Sequence, residues 1–199
     1  MGQARNSRAD VVKAAGRLFA ERGYHGTSMR DLGRELGLLG GSLYAHVESK
    51  QDLLVEVVQQ GAELFEAVAS RALATEGTAA DRLRAFIDGH VGVVVDNLDV
   101  VRTYLNEARV LDDEHRARVL EARDRYEAVL RKILADGATD GSFGPGVDKI
   151  DAIFILSILN AVERWYDPEG PVDRAELTAR VLGFVLDGIG AGLVARRPG

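Results

Sequence analysis

Residues Thr27 to Lys50 read TSMRDLGRELGLLGGSLYAHVESK. The spacing predicts two short helices joined by a glycine turn, then the start of a longer helix. Ser28 followed by Asp31 is a capping-box pair that opens the first helix. Met29, Leu32 and Leu36 repeat at the helical period and face inward, and Gly37 provides the left-handed stop. The second helix is expected over about Gly41 to His46. The longer one opens at Ser49, with Asp52 as its reciprocal cap. Leu32, Leu36, Leu38, Leu43 and Val47 supply a small core and leave Ser42, Tyr44, Ala45 and His46 outward. A helix tipped with small and polar side chains, braced by the helix before it, has the form that enters a DNA major groove.

Working outward, the candidate DNA contacts are Thr27, Ser28, Arg30, Leu39, Gly40, Gly41, Ser42, Tyr44, Ala45, His46 and Lys50. Thr27, Ser28 and Lys50 stand near helix N-termini, where free N–H groups and the helix dipole favour a phosphate. Arg30 sits one turn further along and can reach the backbone or a minor groove. Leu39 precedes the reading helix, and Gly40 and Gly41 let the chain approach DNA closely. Upstream, Ser7 with Asp10 opens a helix whose apolar face is Val11, Ala14, Ala15, Leu18 and Phe19, and Gly23 is expected to end it.

Downstream the pattern is helical almost throughout and strand signals are nearly absent. Leu54, Val57, Val58, Gly61, Phe65, Val68 and Ala72 form one stripe on the helix that opens at Ser49. Further helices are expected at about Asp81 to Asp96, Asp99 to Arg109, Asp112 to Ala135, Val147 to Tyr166 and Asp173 to Val194. Glu114–Arg118, Glu121–Arg125 and Glu127–Arg131 are spaced to pair along the third of these on a solvated face. Gly137 to Gly146 reads as a loop. The fold class is therefore all-α: an N-terminal three-helix helix-turn-helix domain (residues 1–52) and a larger helical domain (residues 53–199).

Composition narrows the function. The chain has 199 residues, no cysteine and a net charge of −6. That charge is uneven: residues 1–50 carry eight basic and five acidic side chains, whereas the rest carry seventeen and twenty-six. Such asymmetry suits an N-terminal part that faces an anion and an acidic body that faces solvent. The basic N-terminus is followed by no apolar run, which argues against a secretory signal, and no stretch is apolar enough for a membrane span. A cytoplasmic protein is expected. No nucleophile elbow, phosphate loop or paired-carboxylate pattern occurs, so no enzyme, catalytic residue or cofactor is expected. His25, His46, His90 and His115 do not cluster, which argues against a metal site.

The run from Ser7 to Leu54 resembles the DNA-binding domain of the TetR family of bacterial transcriptional repressors. The resemblance rests on Phe19-Ala20, Gly23-Tyr24, Thr27-Ser28-Met29, Gly37, Leu43-Tyr44, His46 and Ser49-Lys50. Two positions depart from the family pattern. Leu39 stands where a serine or threonine usually caps the reading helix, and Val47 stands where an aromatic residue usually follows the histidine. The resemblance implies a homodimer that binds a double-stranded, palindromic DNA operator and is released by a small-molecule effector.

The body supplies two further expectations. From Ala152 to Val162 only Ser157 and Asn160 are polar, so that helix should be covered on several sides. With the last helix it is expected to form a four-helix interface between two copies, through Ile153, Phe154, Ser157, Ile158, Leu182, Val185, Leu186 and Ile189. Gly183, Gly188, Gly190 and Gly192 would allow close backbone approach. Candidate effector contacts are polar and aromatic residues near apolar faces: Phe86, His90, Arg102, Tyr104, Asn106, Arg109, Asn160, Trp165 and Tyr166. Asn160 to Gly170, NAVERWYDPEG, resembles a branch that includes regulators of fatty-acid and steroid catabolism. That resemblance implies an acyl-CoA ester, with Arg102 and Arg109 near its phosphates. The alternatives are a drug-like ligand controlling an efflux gene and a helical dimer that binds no DNA.

Overall fold

A computed structural model describes residues 7–38, 43–45, 47–144 and 146–190. All regular structure among them is helical. The helices are α1 (Arg8–Gly26), α2 (Met29–Glu35), α3 (Lys50–Ala74), α4 (Ala79–Asp96), α5 (Leu98–Asn106), α6 (Asp113–Asp140), α7 (Lys149–Trp165) and α8 (Arg174–Gly190). Short 3-10 turns cover Leu43–Ala45 and Ala108–Val110. No helix among the described residues is long and apolar enough to cross a membrane.

The chain divides into two compact units. One holds residues 1–63 and 97–121, and the other holds residues 64–96 and 122–199. In the first unit α1 packs on α5. Val11, Val12, Ala15, Leu18 and Phe19 of α1 are buried, as are Val101 and Thr103 of α5. The Thr103 hydroxyl donates to the Gly16 carbonyl at 3.2 Å. Tyr104 lies directly on Gly61 of α3, where a Cβ would fall 2.6 Å from the tyrosine Cβ. Gly61 therefore serves the stripe on α3 by having no side chain.

In the second unit α4 packs against α7 and α8. The interior holds Leu83, Phe86, Ile87, Val91 and Val94 of α4, with Ile155, Leu159 and Val162 of α7 and Leu177 and Val181 of α8. Arg174 at the start of α8 pairs with Asp96 at 2.9 Å.

Most helix starts follow the capping pattern in the sequence. Ser7–Asp10, Ser28–Asp31 and Asp148–Asp151 all form complete capping boxes. Glu114–Arg118 and Glu127–Arg131 pair along α6. Gly23 interrupts the first helix as expected, with φ 73° and ψ 164°, and one further turn carries α1 to Gly26. Two expectations need correction. The helix expected to stop at Ala135 runs on through Gly137 to Asp140. Gly137 is a packing position there and not a break, because a Cβ on it would collide with the Phe143 ring. The short helix expected over Asp99 to Arg109 is α5 ending at Asn106, followed by the separate 3-10 turn.

Candidate nucleic-acid interface and effector site

The end of α1 and the start of α3 are tied together around Tyr24. The Thr27 hydroxyl donates to the carbonyls of Leu18 (3.1 Å) and Gly23 (3.0 Å) beside the kink at Gly23. Lys50 donates its ammonium to the carbonyls of Tyr24 (2.9 Å) and Thr27 (2.8 Å). The same ammonium stands 4.0 Å from the centre of the Tyr24 ring, a cation–π contact. The Tyr24 hydroxyl donates to the Gln51 side chain at 2.9 Å. Burial raises the pKa of that phenol. Thr27 and Lys50 thus set the angle at which α2 leaves α1.

On α2 the Ser28 hydroxyl and amide both donate to Asp31. Those bonds, the hydroxyl's first, hold the Asp31 carboxyl below its ordinary range. Arg17 pairs with Glu35, and Arg30 is exposed. Past the Gly37 turn (φ 64°), the 3-10 turn buries Leu43 at 1% exposure and presents Tyr44 at 58%, with Ala45 beside it also exposed. Val47 follows at 2%, so the smaller residue still serves as a brace. Of the DNA candidates, Ser28, Arg30, Tyr44 and Ala45 are exposed, Lys50 is half-buried and Thr27 is buried. Leu39, Gly40, Gly41, Ser42 and His46 lie outside the described residues.

The effector candidates divide between the two units. Arg102, Tyr104, Asn106 and Arg109 belong to the first. Tyr104 is buried on Gly61 and Asn106 donates to the Arg102 carbonyl. Arg109 lines an open cleft of about 500 Å³ with Arg22, Tyr24, His25 and Glu107. Phe86, His90, Asn160, Trp165 and Tyr166 belong to the second. Trp165 is exposed at the end of α7, Tyr166 is buried, and Asn160 is half-buried.

Phe86 and His90 sit in an aromatic cluster that the sequence reading did not assemble. Its other members are Phe65 of α3 and Tyr126 of α6. Ring centres lie 4.8 Å apart for Phe65–His90, 5.3 Å for Phe65–Tyr126 and 4.7 Å for Phe86–Tyr126. His90 Nδ1 is 3.0 Å from the Tyr126 hydroxyl. Its Nε2 is buried without a hydrogen-bond partner. Burial lowers the His90 pKa to about 3, so the imidazole is neutral. Tyr126 was legible as an inward position, since Val119, Tyr126, Leu130 and Ile133 share one face of α6.

The proposed interface residues also separate. Ile153 (47%), Phe154 (62%) and Ser157 are exposed on α7, and Ile158, Leu182 and Leu186 are half-buried. Val185 and Ile189 are already covered by their own chain. Gly183 and Gly188 have open space where a side chain would stand. Phe184, absent from the sequence-derived set, is 69% exposed. Among the described residues no three His, Asp or Glu side chains converge as a metal site would require.

A sequence profile described as "Bacterial regulatory proteins, tetR family" matches residues 11–57. A second, "Tetracyclin repressor-like, C-terminal domain", matches residues 76–189. The HTH-type transcriptional repressor KstR2 of Mycolicibacterium smegmatis is 29% identical over 190 residues, which span 94% of this chain and 92% of that protein. The structure of the ketosteroid transcriptional regulator KstR2 of Mycobacterium tuberculosis aligns with a TM-score of 0.88 at 25% identity, over 92% of this chain and 94% of that one. The TetR family transcriptional regulator PfmR from Thermus thermophilus aligns with a TM-score of 0.81 at 32% identity, over 88% and 96%.

Proposed function

Because this chain belongs to the TetR family of bacterial regulatory proteins, and is a transcriptional regulator and not an enzyme, we propose a specific form for its action. It is a cytoplasmic homodimeric repressor that holds a palindromic operator and releases it on binding a small apolar or acyl-CoA-type effector. Residues 1–52 read DNA, and residues 53–199 bind effector and dimerise. The observation that carries this reading is the alternation at Leu43-Tyr44-Ala45. One side chain anchors the turn while its neighbours are free to meet base edges or phosphates. Arg30 and the remaining proton of the Lys50 ammonium contribute phosphate contacts, with Ser28, whose donors are taken by Asp31, capping α2 and Thr27 holding the junction behind them. Leu39, Gly40, Gly41, Ser42 and His46 are retained as DNA contacts on the sequence reading alone. The repressor name of the KstR2 relatives supports the direction of control.

Two reading helices in a dimer match half-sites about 34–36 Å apart, one helical turn, or a modestly larger span. Release follows from differential affinity: the effector binds better to the state that fits DNA less well, and by linkage DNA weakens effector binding by the same factor. The test is a gel shift and footprint on the DNA flanking the chain's own gene, with apo protein at low salt. A protected palindrome is expected. Tyr44→Ala should abolish the shift while the dimer persists on sizing. A protein that protects no palindrome, or a Tyr44→Ala chain that shifts DNA as well as the parent, overturns the reading.

A further inference from the structure

Among the described residues, His90 is a buried polar side chain of which one ring nitrogen is left unused. It is 1% exposed, and the rings about it are closed as well: Phe86 is 0% and Phe65 4% exposed. Its Nδ1 meets the Tyr126 hydroxyl at 3.0 Å, whereas Nε2 meets no hydrogen-bond partner. A buried polar atom without a partner is destabilising, and native interiors rarely keep one without a use. The tautomer follows from relative acidity. A phenol is a better donor than a neutral imidazole, and an imidazole lone pair is a better acceptor than a phenol oxygen. The Tyr126 O–H therefore donates to Nδ1, and the proton of the ring stands on Nε2. The result is a neutral, buried N–H donor on a ring packed among Phe65, Phe86 and Tyr126.

We propose that His90 Nε2–H, within the Phe65–Phe86–Tyr126 cluster, is the polar anchor for a carbonyl oxygen carried on an apolar skeleton. This deepens the effector reading above and rests on it for its regulatory meaning, but the binding event itself involves no DNA. The chemistry selects against two other classes. An alkyl ammonium offers only donors to a donor. A free carboxylate would have to shed its water for one uncharged N–H among aromatic walls, and burial of an unpaired charge is strongly unfavourable. A ketone and an acyl thioester both present the required oxygen. Phe65 and Phe86 are buried against His90, so a ligand reaches Nε2 by replacing ring contacts with its own.

The test uses the full chain and calorimetric titration with four probes: 2-decanone, decanoyl-CoA, decylamine and 1-decene. At least one carbonyl probe should bind roughly tenfold more tightly than the alkene, the worth of one well-formed buried hydrogen bond. Tight binding of 2-decanone marks a free ketone as the source. Binding of decanoyl-CoA alone marks an acyl thioester. His90→Phe, which keeps the ring and removes both nitrogens, should reduce the carbonyl-over-alkene preference to within about twofold. Tyr126→Phe removes the donor that fixes the tautomer and should erode the same preference, which keeps the test decisive if His90→Phe does not fold. Equal affinity for ketone, thioester and alkene in the parent chain overturns the proposal. So does a preference that survives both substitutions. Failure here with a footprint intact removes the carbonyl anchor and leaves the DNA-binding reading standing.

Discussion

Lys50 holds the junction of α1 and α3, and the proposed function gives it a phosphate as well. Its ammonium spends two donors on the carbonyls of Tyr24 and Thr27 and has a third to offer. Lys50→Ala should therefore have two separable effects. Loss of the charge-assisted bonds should lower unfolding free energy by about 1.5–3 kcal/mol, read as a lower urea midpoint. If the third donor meets a phosphate, operator binding should also weaken alike on all sequences, with the salt slope reduced by about 1. A second residue makes a pH prediction. The folded His90 pKa of about 3 lies below the ordinary 6.5. As pH falls the unfolded chain takes up this proton first, so stability is lost from about pH 6.5 downward at up to about 1.4 kcal/mol per pH unit. Above that range His90 contributes no slope. Denaturant curves at pH 7 and pH 5 should therefore diverge less for His90→Gln than for the parent chain, in a window above the carboxylate range.

At the scale of elements, glycines mark where helices approach closely. Gly61 admits Tyr104, and Gly137 admits Phe143. Helix propensity alone favours Gly137→Ala by about 1 kcal/mol. The added Cβ would collide with a buried ring, so Phe143 must move. Displacement of a buried aromatic side chain costs about 1–3 kcal/mol, and Gly137→Ala should be net destabilising in thermal melts. An increase in melting temperature would show that the ring relocates freely. This element also shows where reading by residue type reaches its limit. Glycine in the sequence signals either a break or a contact, and only the neighbour decides which. The capping boxes at Ser7 and Ser28 were legible because both partners lie within four residues of each other. The aromatic cluster was not, because Phe65, Phe86, His90 and Tyr126 come from three helices distant in the chain.

For the whole molecule, the apolar residues left uncovered are concentrated on α7 and α8. Ile150, Ile153, Phe154, Trp165 and Phe184 are all exposed large hydrophobics. A dimer that buries them is the proposal that accounts for so apolar a surface. Phe154→Glu should shift sedimentation from dimer to monomer, because a carboxylate buried at such an interface without a partner is strongly unfavourable. Since a palindrome engages both copies, the same substitution should weaken operator binding at least roughly tenfold, more than the loss of one contact would. An unaltered dimer would move the interface away from Phe154.

The sequence by itself determined the all-helical class, the helix starts and the alternation that buries Leu43 and exposes Tyr44. Each depends on side chains acting within a turn or two of their own backbone. Family membership was legible for the same reason, since the run from Ser7 to Leu54 is a string of caps, stops and inward positions. Only the tertiary structure decided that Thr27 and Lys50 hold the end of α1, that Val185 and Ile189 face their own chain while Phe184 does not, and that His90 Nε2 stands without a partner. These depend on which helix packs on which, and a single helical period cannot encode the rotation of one helix against another.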